Sequence, residues 1–529
     1  MTPAELARSS VPLSSEARVL TTTDTGKVTD RSWRLALGSR WMLWVGIGAL
    51  LMFALGFAAP LADPDLPMHL ATGAWIVKHA AVPWVEPFAW TRWGAPYYAY
   101  SWLPEVVYQL VYVHVGAAGL RVLHGLTQVA TGGAILWLAS LHRWKVWTAL
   151  FLIFLTVVTS TIIAGFLRPQ ALLVPLILLS WACGLRVLDG SRPLRSAVVL
   201  AVVAALAANT HLLFPLTGLP FAIAMSRTPF PTRRAALVAL ALVVGWVATP
   251  YGLVWPEVFR FYFGHNPLFD YPSTITEFTP GFRFASHYPL WMFVAALLAV
   301  TPWALSDAKT SRRERVVFAG IWFIGLVGFA MALRAIVVWW FATLPMLALV
   351  LERIPEPRTP FHRRALSLTF AALPVALVLN FGRMGERLGK GIVPAPRASV
   401  EPLAQWLDDH VRLTGDGRPR MLTNFDYGSY LTWRLPAYSM SIDGRTIFPD
   451  SVAAPEAYRF ADQGAFPLGP WREADVAIVP RNVPVASVLD TATGWIRLDS
   501  VPAGRGVPLA SGLWAREDWL RRTASSSHR

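Results

Sequence analysis

The feature that most constrains this chain is a succession of long apolar runs whose connecting loops take turns in carrying clusters of Arg and Lys. A bilayer core about 30 Å thick is crossed by about 20 apolar helical residues, so each run is a candidate span. About eleven emerge, at 41–61, 119–140, 147–166, 170–187, 196–209, 212–226, 235–251, 289–305, 316–333, 335–351 and 365–381. Composition agrees, because 54% hydrophobic residues exceed the share of about 45–50% usual in soluble domains. Several runs are short or contain proline, as after Asn209, and are read as tilted or broken spans.

Charge gives these runs an orientation. Arg143 with Lys145, Arg186 to Arg195, Arg227 to Arg234, Lys309 to Arg315 and Arg353 to Arg364 fall on one side, together with the polar tail 1–40. The positive-inside rule makes that side cytoplasmic. The net charge of +15 therefore anchors the chain in its membrane, and nucleic acid is excluded as a partner. The same rule makes 101–116, SWLPEVVYQLVYVHVG, a helix lying at the outer interface rather than a further span. Loops 62–118 and 251–288 then lie outside the cytoplasm. Residues 382–529 turn rich in Arg, Asp, Gly and Pro, with short β-type runs such as VAIVP and SMSID, and are expected to form a small extracytoplasmic α/β domain. The expected fold is mainly α: a polytopic transmembrane bundle over 41–381 with a small soluble α/β domain behind it. The single cysteine, Cys183, lies in an apolar run and makes no intrachain disulfide.

The external surface gathers the candidate reactive groups. In DPDLPMHLATGAWI, residues 63–76, Asp63 and Asp65 flank a proline, which prevents a regular helix from starting before Asp65. Such a pair either holds a cation or removes a proton; alternatively Asp65 caps the following helix and Asp63 is solvated. His69, Glu86, Trp102 and Glu105 add polar and aromatic groups to the same loop, where aromatic residues also serve as ordinary interfacial anchors. Arg168 and Arg334 stand at the outer ends of apolar runs, placed either to snorkel to lipid headgroups or to stabilise an anionic leaving group. Gln170, Asn209 and His211 are candidates for hydrogen bonds to a sugar or phosphate, and Glu277 for an acceptor, although local backbone or solvent would satisfy each of them. Phosphate-loop, dinucleotide and zinc-type signatures are absent from the sequence.

DPDLPMHLATGAWI followed by VPWVEPFAWTRWGAPYYAYSWLPE resembles the first external loop of bacterial membrane glycosyltransferase-like proteins of the GT-C superfamily. FLRPQ (166–170), ANTHLLF (208–214), TPYGL (249–253), TEFTP (276–280), the Arg334 run, NFDYGSYLTWRLP and SIDGRT extend the likeness over most of residues 41–500. The chain departs from that pattern at Pro67, Met68, Glu86, Tyr100 and Ala335. The resemblance implies inverting transfer of a sugar from a polyprenyl-phosphate carrier to a lipid, glycan or protein acceptor, outside the cytoplasm, in the bacterial inner membrane. It implies Asp63, and after it Asp65, as base or metal-site residue. A divalent cation is allowed there but not required. Two rivals remain at this point: a transporter or flippase, against which the lack of an internal repeat speaks, and a scaffold that has kept the fold without catalysis.

Overall fold

The computed structural model describes residues 39–59, 61, 63–162, 167–227, 229–264, 311–331, 335–353, 395–413, 417–445, 447–448, 473–502 and 510–526, with 298 and 379 singly. The expected runs 289–305 and 365–381, apart from those single residues, and the candidates Glu277 and Arg334 lie outside the described residues. The chain divides into two compact units, Met1–Leu50 and Leu51–Arg529. Of the first, the described part is the start of α1 (Ser39–Ala58).

Helices follow the apolar runs. They are α2 (Leu66–His79), α3 (Trp102–His142), α4 (Val146–Ile162), α5 (Pro169–Leu188), α6 (Pro193–Ala208), α7 (Leu219–Ser226), α8 (Thr232–Val247), α9 (Trp255–Phe263), α10 (Arg312–Met331) and α11 (Ile336–Arg353). Among the described residues, α3 and α5 are long and apolar enough to cross a membrane, and α8 with α9, bent by 100°, would make a third if counted as one broken span. The run 212–226 emerges as a 3-10 turn, Phe214–Gly218, followed by the eight-residue α7. Pro215 and Pro220 lack the amide hydrogens that a continuous helix would need there.

Helix α3 is two helices joined at Gly116, whose φ of 71° and ψ of −160° no helix contains and few other residues adopt. The break falls between the expected interfacial segment 101–116 and the run 119–140. Helix α3 packs against both α2 and α5. The approach of α2 to α3 depends on Gly73, since a Cβ there would lie 2.1 Å from the Glu105 carbonyl oxygen.

The C-terminal residues add α12 (Ala395–His410), β1 (Arg420–Thr423), α13 (Phe425–Arg434), β2 (Ser439–Met440), β3 (Val476–Pro480), α14 (Pro484–Thr491), β4 (Trp495–Val501), β5 (Ser511–Arg516) and α15 (Glu517–Ser526). The five strands form one sheet in the order β2-β1-β3-β5-β4. β1 runs parallel to β2 and β3, and β5 runs antiparallel to β3 and β4. Both faces are covered, so VAIVP is apolar throughout rather than alternating. On one face Met421, Val476, Ile478 and Leu513 share a core with Leu403 and Leu431 and with Leu66, Leu70, Tyr108 and Leu167. On the other, Leu422, Ala477, Val479 and Trp514 join Ile76, Trp90 and Tyr97. Burial of each large apolar side chain contributes about 1.5–3 kcal/mol, so the sheet is held to residues 61–108 by apolar cores on both of its faces.

That loop is also bonded to the sheet edge. Ala89 bridges Met440 in parallel, and the Met440 and Ser439 donors both reach the Phe88 carbonyl, at 3.2 and 2.6 Å. Thr91 Oγ1 donates to the Ser441 carbonyl at 2.6 Å, and an Arg418 guanidinium N–H donates to the Pro87 carbonyl at 2.6 Å.

Candidate active site

The DPD segment is shaped by its own backbone. The Leu66 N–H donates to the Asp63 carbonyl at 3.2 Å, and the Asp65 N–H donates to Asp63 Oδ1 at 2.9 Å, closing a tight turn over Pro64. Asp65 holds the N-cap position of α2, but its side chain makes no capping hydrogen bond. The capping role considered for it is therefore not the one it has. Its Oδ2 lies 3.3 Å from Arg168 Nη2, while Asp63 Oδ2 accepts from Arg168 Nε at 2.5 Å.

Arg168 precedes α5 in an extended conformation, at the end of the helix where the dipole disfavours a cation. The two carboxylates offset that cost, and Pro169 starts the helix without needing the amide hydrogen that the turn would leave unpaired. Asp63 is buried and Arg168 half-buried, whereas about a third of the Asp65 side chain is open to solvent, at 35%. The result is a carboxylate pair gripping one guanidinium, with one carboxylate accessible.

His69 and Glu105 meet beside this pair. His69 Nδ1 is 3.0 Å from Glu105 Oε1, across the α2–α3 contact that Gly73 allows. Burial pulls the His69 pKa down, but the bond to Glu105 and the charges of Glu105, Asp65 and Asp63 outweigh it, and the net shift is upward from 6.5. Glu105 Oε2 and the Tyr108 hydroxyl are buried with no hydrogen-bond partner among the described residues. Burial first, then the charges of Asp63 and Glu105, raise the Tyr108 pKa well above the usual phenol value. Tyr108 thus stays protonated as a donor next to anionic groups.

Other candidates are engaged elsewhere. Trp102 Nε1 donates to Asn209 Oδ1 at 2.6 Å, and Asn209 Nδ2 donates to the Ala205 and Ala248 carbonyls at 2.7 and 2.8 Å. Those two residues satisfy each other and tie α3 to the ends of α6 and α8. His211 is buried, accepts from the Leu213 N–H at 3.1 Å and meets Tyr100 edge-on. Gln170 sits in the first turn of α5, half-buried, two residues after Arg168.

Glu86 belongs to a second ionic cluster. Its Oε1 accepts from the Phe88 and Ala89 N–H groups at 2.8 and 2.9 Å. Arg445 reaches it through Nη1 to Oε2 and Nη2 to Oε1, both at 2.8 Å, and binds Asp443 through Nε to Oδ1 at 2.8 Å and Nη2 to Oδ2 at 2.6 Å. The guanidinium lies over the Tyr97 ring, 4.8 Å from its centroid. This link between SIDGRT and the first loop had one sequence signal, the Asp443–Arg445 spacing, and none that pointed to Glu86.

A metal was allowed at Asp63 and Asp65. A cation there would share Asp63 Oδ2 with a guanidinium nitrogen 2.5 Å away, and among the described residues no three His, Cys, Asp or Glu side chains gather as a ligand set. The residues as arranged do not fit a resident divalent ion.

The architecture and this site can be set beside solved structures. ArnT from Cupriavidus metallidurans bound to undecaprenyl phosphate superposes with a TM-score of 0.50 over 91% of this chain and 99% of its own, at 14% identity. The Archaeoglobus fulgidus oligosaccharyltransferase tethered with an acceptor peptide gives 0.55 over 84% of this chain and 70% of its own, at 12% identity. The same oligosaccharyltransferase in complex with Zn and sulfate gives 0.51 over 82% and 67%, at 11% identity. The chain has the GT-C fold. No protein-family profile and no curated protein sequence matches the chain. The expected fold resemblance therefore holds at the level of structure, and the DPD segment lies between α1 and α2 of that fold.

Proposed function

We propose that this chain is a membrane glycosyltransferase that moves a sugar from a polyprenyl-phosphate carrier to a hydroxyl of a lipid, glycan or protein acceptor. Transfer takes place at the extracytoplasmic face of a bacterial inner membrane. About eleven spans would leave the N-terminus in the cytoplasm and the C-terminal α/β region outside. The observation that carries the reading is the Asp63–Arg168–Asp65 grouping, one carboxylate sealed and one open, on the first loop of a GT-C fold. The undecaprenyl phosphate bound by ArnT and the acceptor peptide tethered to the oligosaccharyltransferase support a donor and an acceptor of these kinds.

Sequence alone put Asp63 first as base and Asp65 second; exposure favours the reverse. A base must reach the acceptor hydroxyl, and Asp63 is buried with Oδ1 on the Asp65 amide and Oδ2 on Arg168, whereas Asp65 keeps an open face. In this mechanism Asp65 takes the proton as the acceptor oxygen attacks the anomeric carbon. The bond from that carbon to the phosphate oxygen breaks on the opposite side, so configuration inverts. The electron pair leaves on the lipid phosphate. Asp63 holds Arg168 in place, Arg168 stabilises the growing phosphate charge, Arg334 is assigned the same task from its place in the sequence, and His69 is assigned to substrate contact beside Glu105. Glu86, Trp102 and Asn209 serve by fixing the loop, and Gln170, His211 and Glu277 remain assigned to substrate contact. No step requires a metal.

The test is release of undecaprenyl phosphate by the purified protein from synthetic undecaprenyl-phosphate mannose, glucose and galactose, with envelope extract as acceptor. Asp65→Asn is expected to lower turnover by about 10²- to 10⁴-fold, the usual worth of a general base. Turnover equal to that of the parent protein would end the catalytic assignment.

A further inference from the structure

The turn Asp443–Gly444–Arg445 leaves the end of β2 and comes to rest against the DPD segment. A Cβ built on Gly444 would lie 2.6 Å from Ser429 Oγ, 3.1 Å from Asp65 Oδ1 and 3.8 Å from Ser429 Cβ. Glycine here is needed for space, because the Gly444 backbone occupies the room beside the carboxylate. Two bonds fix the backbone in that place. The Gly444 N–H donates to Ser429 Oγ at 2.9 Å, and the Arg445 N–H donates to Asp443 Oδ1 at 3.0 Å. The Arg445 side chain then locks the turn to Glu86, on the far side of the same external loop. Asp65 thus has Arg168 beside its Oδ2 and Gly444 beside its Oδ1.

We infer that this turn is a positioning element for Asp65, so that the C-terminal sheet supplies one wall of the reaction site and Gly444 and Arg445 act on turnover through Asp65. The inference rests on the glycosyltransferase reading above. It also goes beyond that reading, since it gives residues more than 350 positions downstream a part in the chemistry of the first loop, about 1 Å of misplacement in such a site being worth about 10²-fold in rate.

The geometry supplies its own control. Ser429→Ala removes the atom that a new side chain at Gly444 would strike at 2.6 Å, which leaves Asp65 Oδ1 at 3.1 Å as the close neighbour. Ser429→Ala therefore sets the baseline, and Ser429→Ala with Gly444→Ala adds a push on Asp65 of a few tenths of an ångström. Against that baseline, release of undecaprenyl phosphate from the donors above should show kcat lower by about fivefold to tenfold, with KM for the donor within about twofold and the unfolding temperature unchanged. In an Asp65→Asn background the same Gly444→Ala change should have no further effect on kcat. Glu86→Gln, which keeps the Oε1 acceptor and loses the carboxylate oxygen facing Arg445 Nη1, should lower kcat in the same way from the other end of the turn.

Equal kcat for Ser429→Ala with and without Gly444→Ala, while Asp65→Asn is inactive, overturns the positioning role and leaves the glycosyltransferase reading standing. A kcat loss from Gly444→Ala that persists in full in the Asp65→Asn background also overturns it, because the loss would then bypass Asp65. Full activity of Asp65→Asn overturns the functional reading itself, and this role with it.

Discussion

Two of the arginines held between carboxylates, Arg168 and Arg445, differ in the access of their clusters to water. At Asp63–Arg168–Asp65 the side chains are 2%, 14% and 35% exposed; at Glu86–Arg445–Asp443 they are 0%, 11% and 0%. The second cluster also has an aromatic floor, Tyr97, and backbone donors on Glu86. A fully enclosed pair that loses a partner leaves bare charge in a low dielectric, whereas a pair with an open carboxylate can hand that charge to solvent or substrate. The sealed cluster holds two distant chain segments together, and the open one leaves a carboxylate within reach of solvent.

The largest effect should come from breaking the sealed cluster. Arg445→Met strands two buried carboxylates, and unfolding monitored by circular dichroism in detergent should show a loss of about 3–5 kcal/mol. Next comes Arg168→Met. Water reaches Asp65, so its cost in stability should be the smaller of the two. Its cost in turnover should be greater than its stability cost suggests, on the order of 10²- to 10³-fold, as for removal of a donor that stabilises developing negative charge. If the two substitutions had equal effects on stability and on turnover, the contrast between structural and reactive clusters would collapse.

Why one cluster was legible in the sequence and the other was not follows from chain distance. Asp63 and Asp65 advertise themselves through a proline between them and an apolar run on each side, and Arg168 through its position before an apolar run. These are local signals of the kind that also gave α5 at Pro169–Leu188 from the run 170–187. Glu86 and Arg445 are 359 residues apart, and neither periodicity nor spacing reports a tertiary contact across such a gap. Trp102 and Asn209 fail in the same way: both drew notice as polar groups on the outer face, and only the structure reveals that they bond to each other. The capping alternative for Asp65 is set aside for a different reason. Asp65 occupies an N-cap position, but the guanidinium competes better for its carboxylate than a backbone amide does.

A smaller effect separates the clusters by pH. His69 has its pKa raised by Glu105, Asp65 and Asp63 against the opposing effect of burial, so its folded value lies above the unfolded value of about 6.5. The stabilisation it contributes is complete below about pH 6.5 and is lost as pH rises through the folded pKa. Unfolding measured between pH 6 and 9 should show this loss in the parent protein and not in His69→Gln. Arg445→Met should keep the His69 slope, because the sealed cluster has no imidazole.

The smallest expected effect is that of metal removal, and it tests what the guanidinium between Asp63 and Asp65 stands for. Two carboxylates drawn to one centre usually signal a divalent cation, and here Arg168 Nε already lies 2.5 Å from Asp63 Oδ2. A cation entering that space would meet a fixed positive charge and would have to take its oxygens from charge-assisted hydrogen bonds. Turnover should therefore survive EDTA at a level within about twofold, the resolution of the assay, and added Mg²⁺ or Mn²⁺ should not raise it. In Arg168→Met the same carboxylates lose their counter-charge, and that variant is the one in which added divalent cation should restore part of the lost activity. Abolition of parent turnover by EDTA would mean that Arg168 moves aside in the working enzyme, and the open cluster would then be a metal site with an arginine gate.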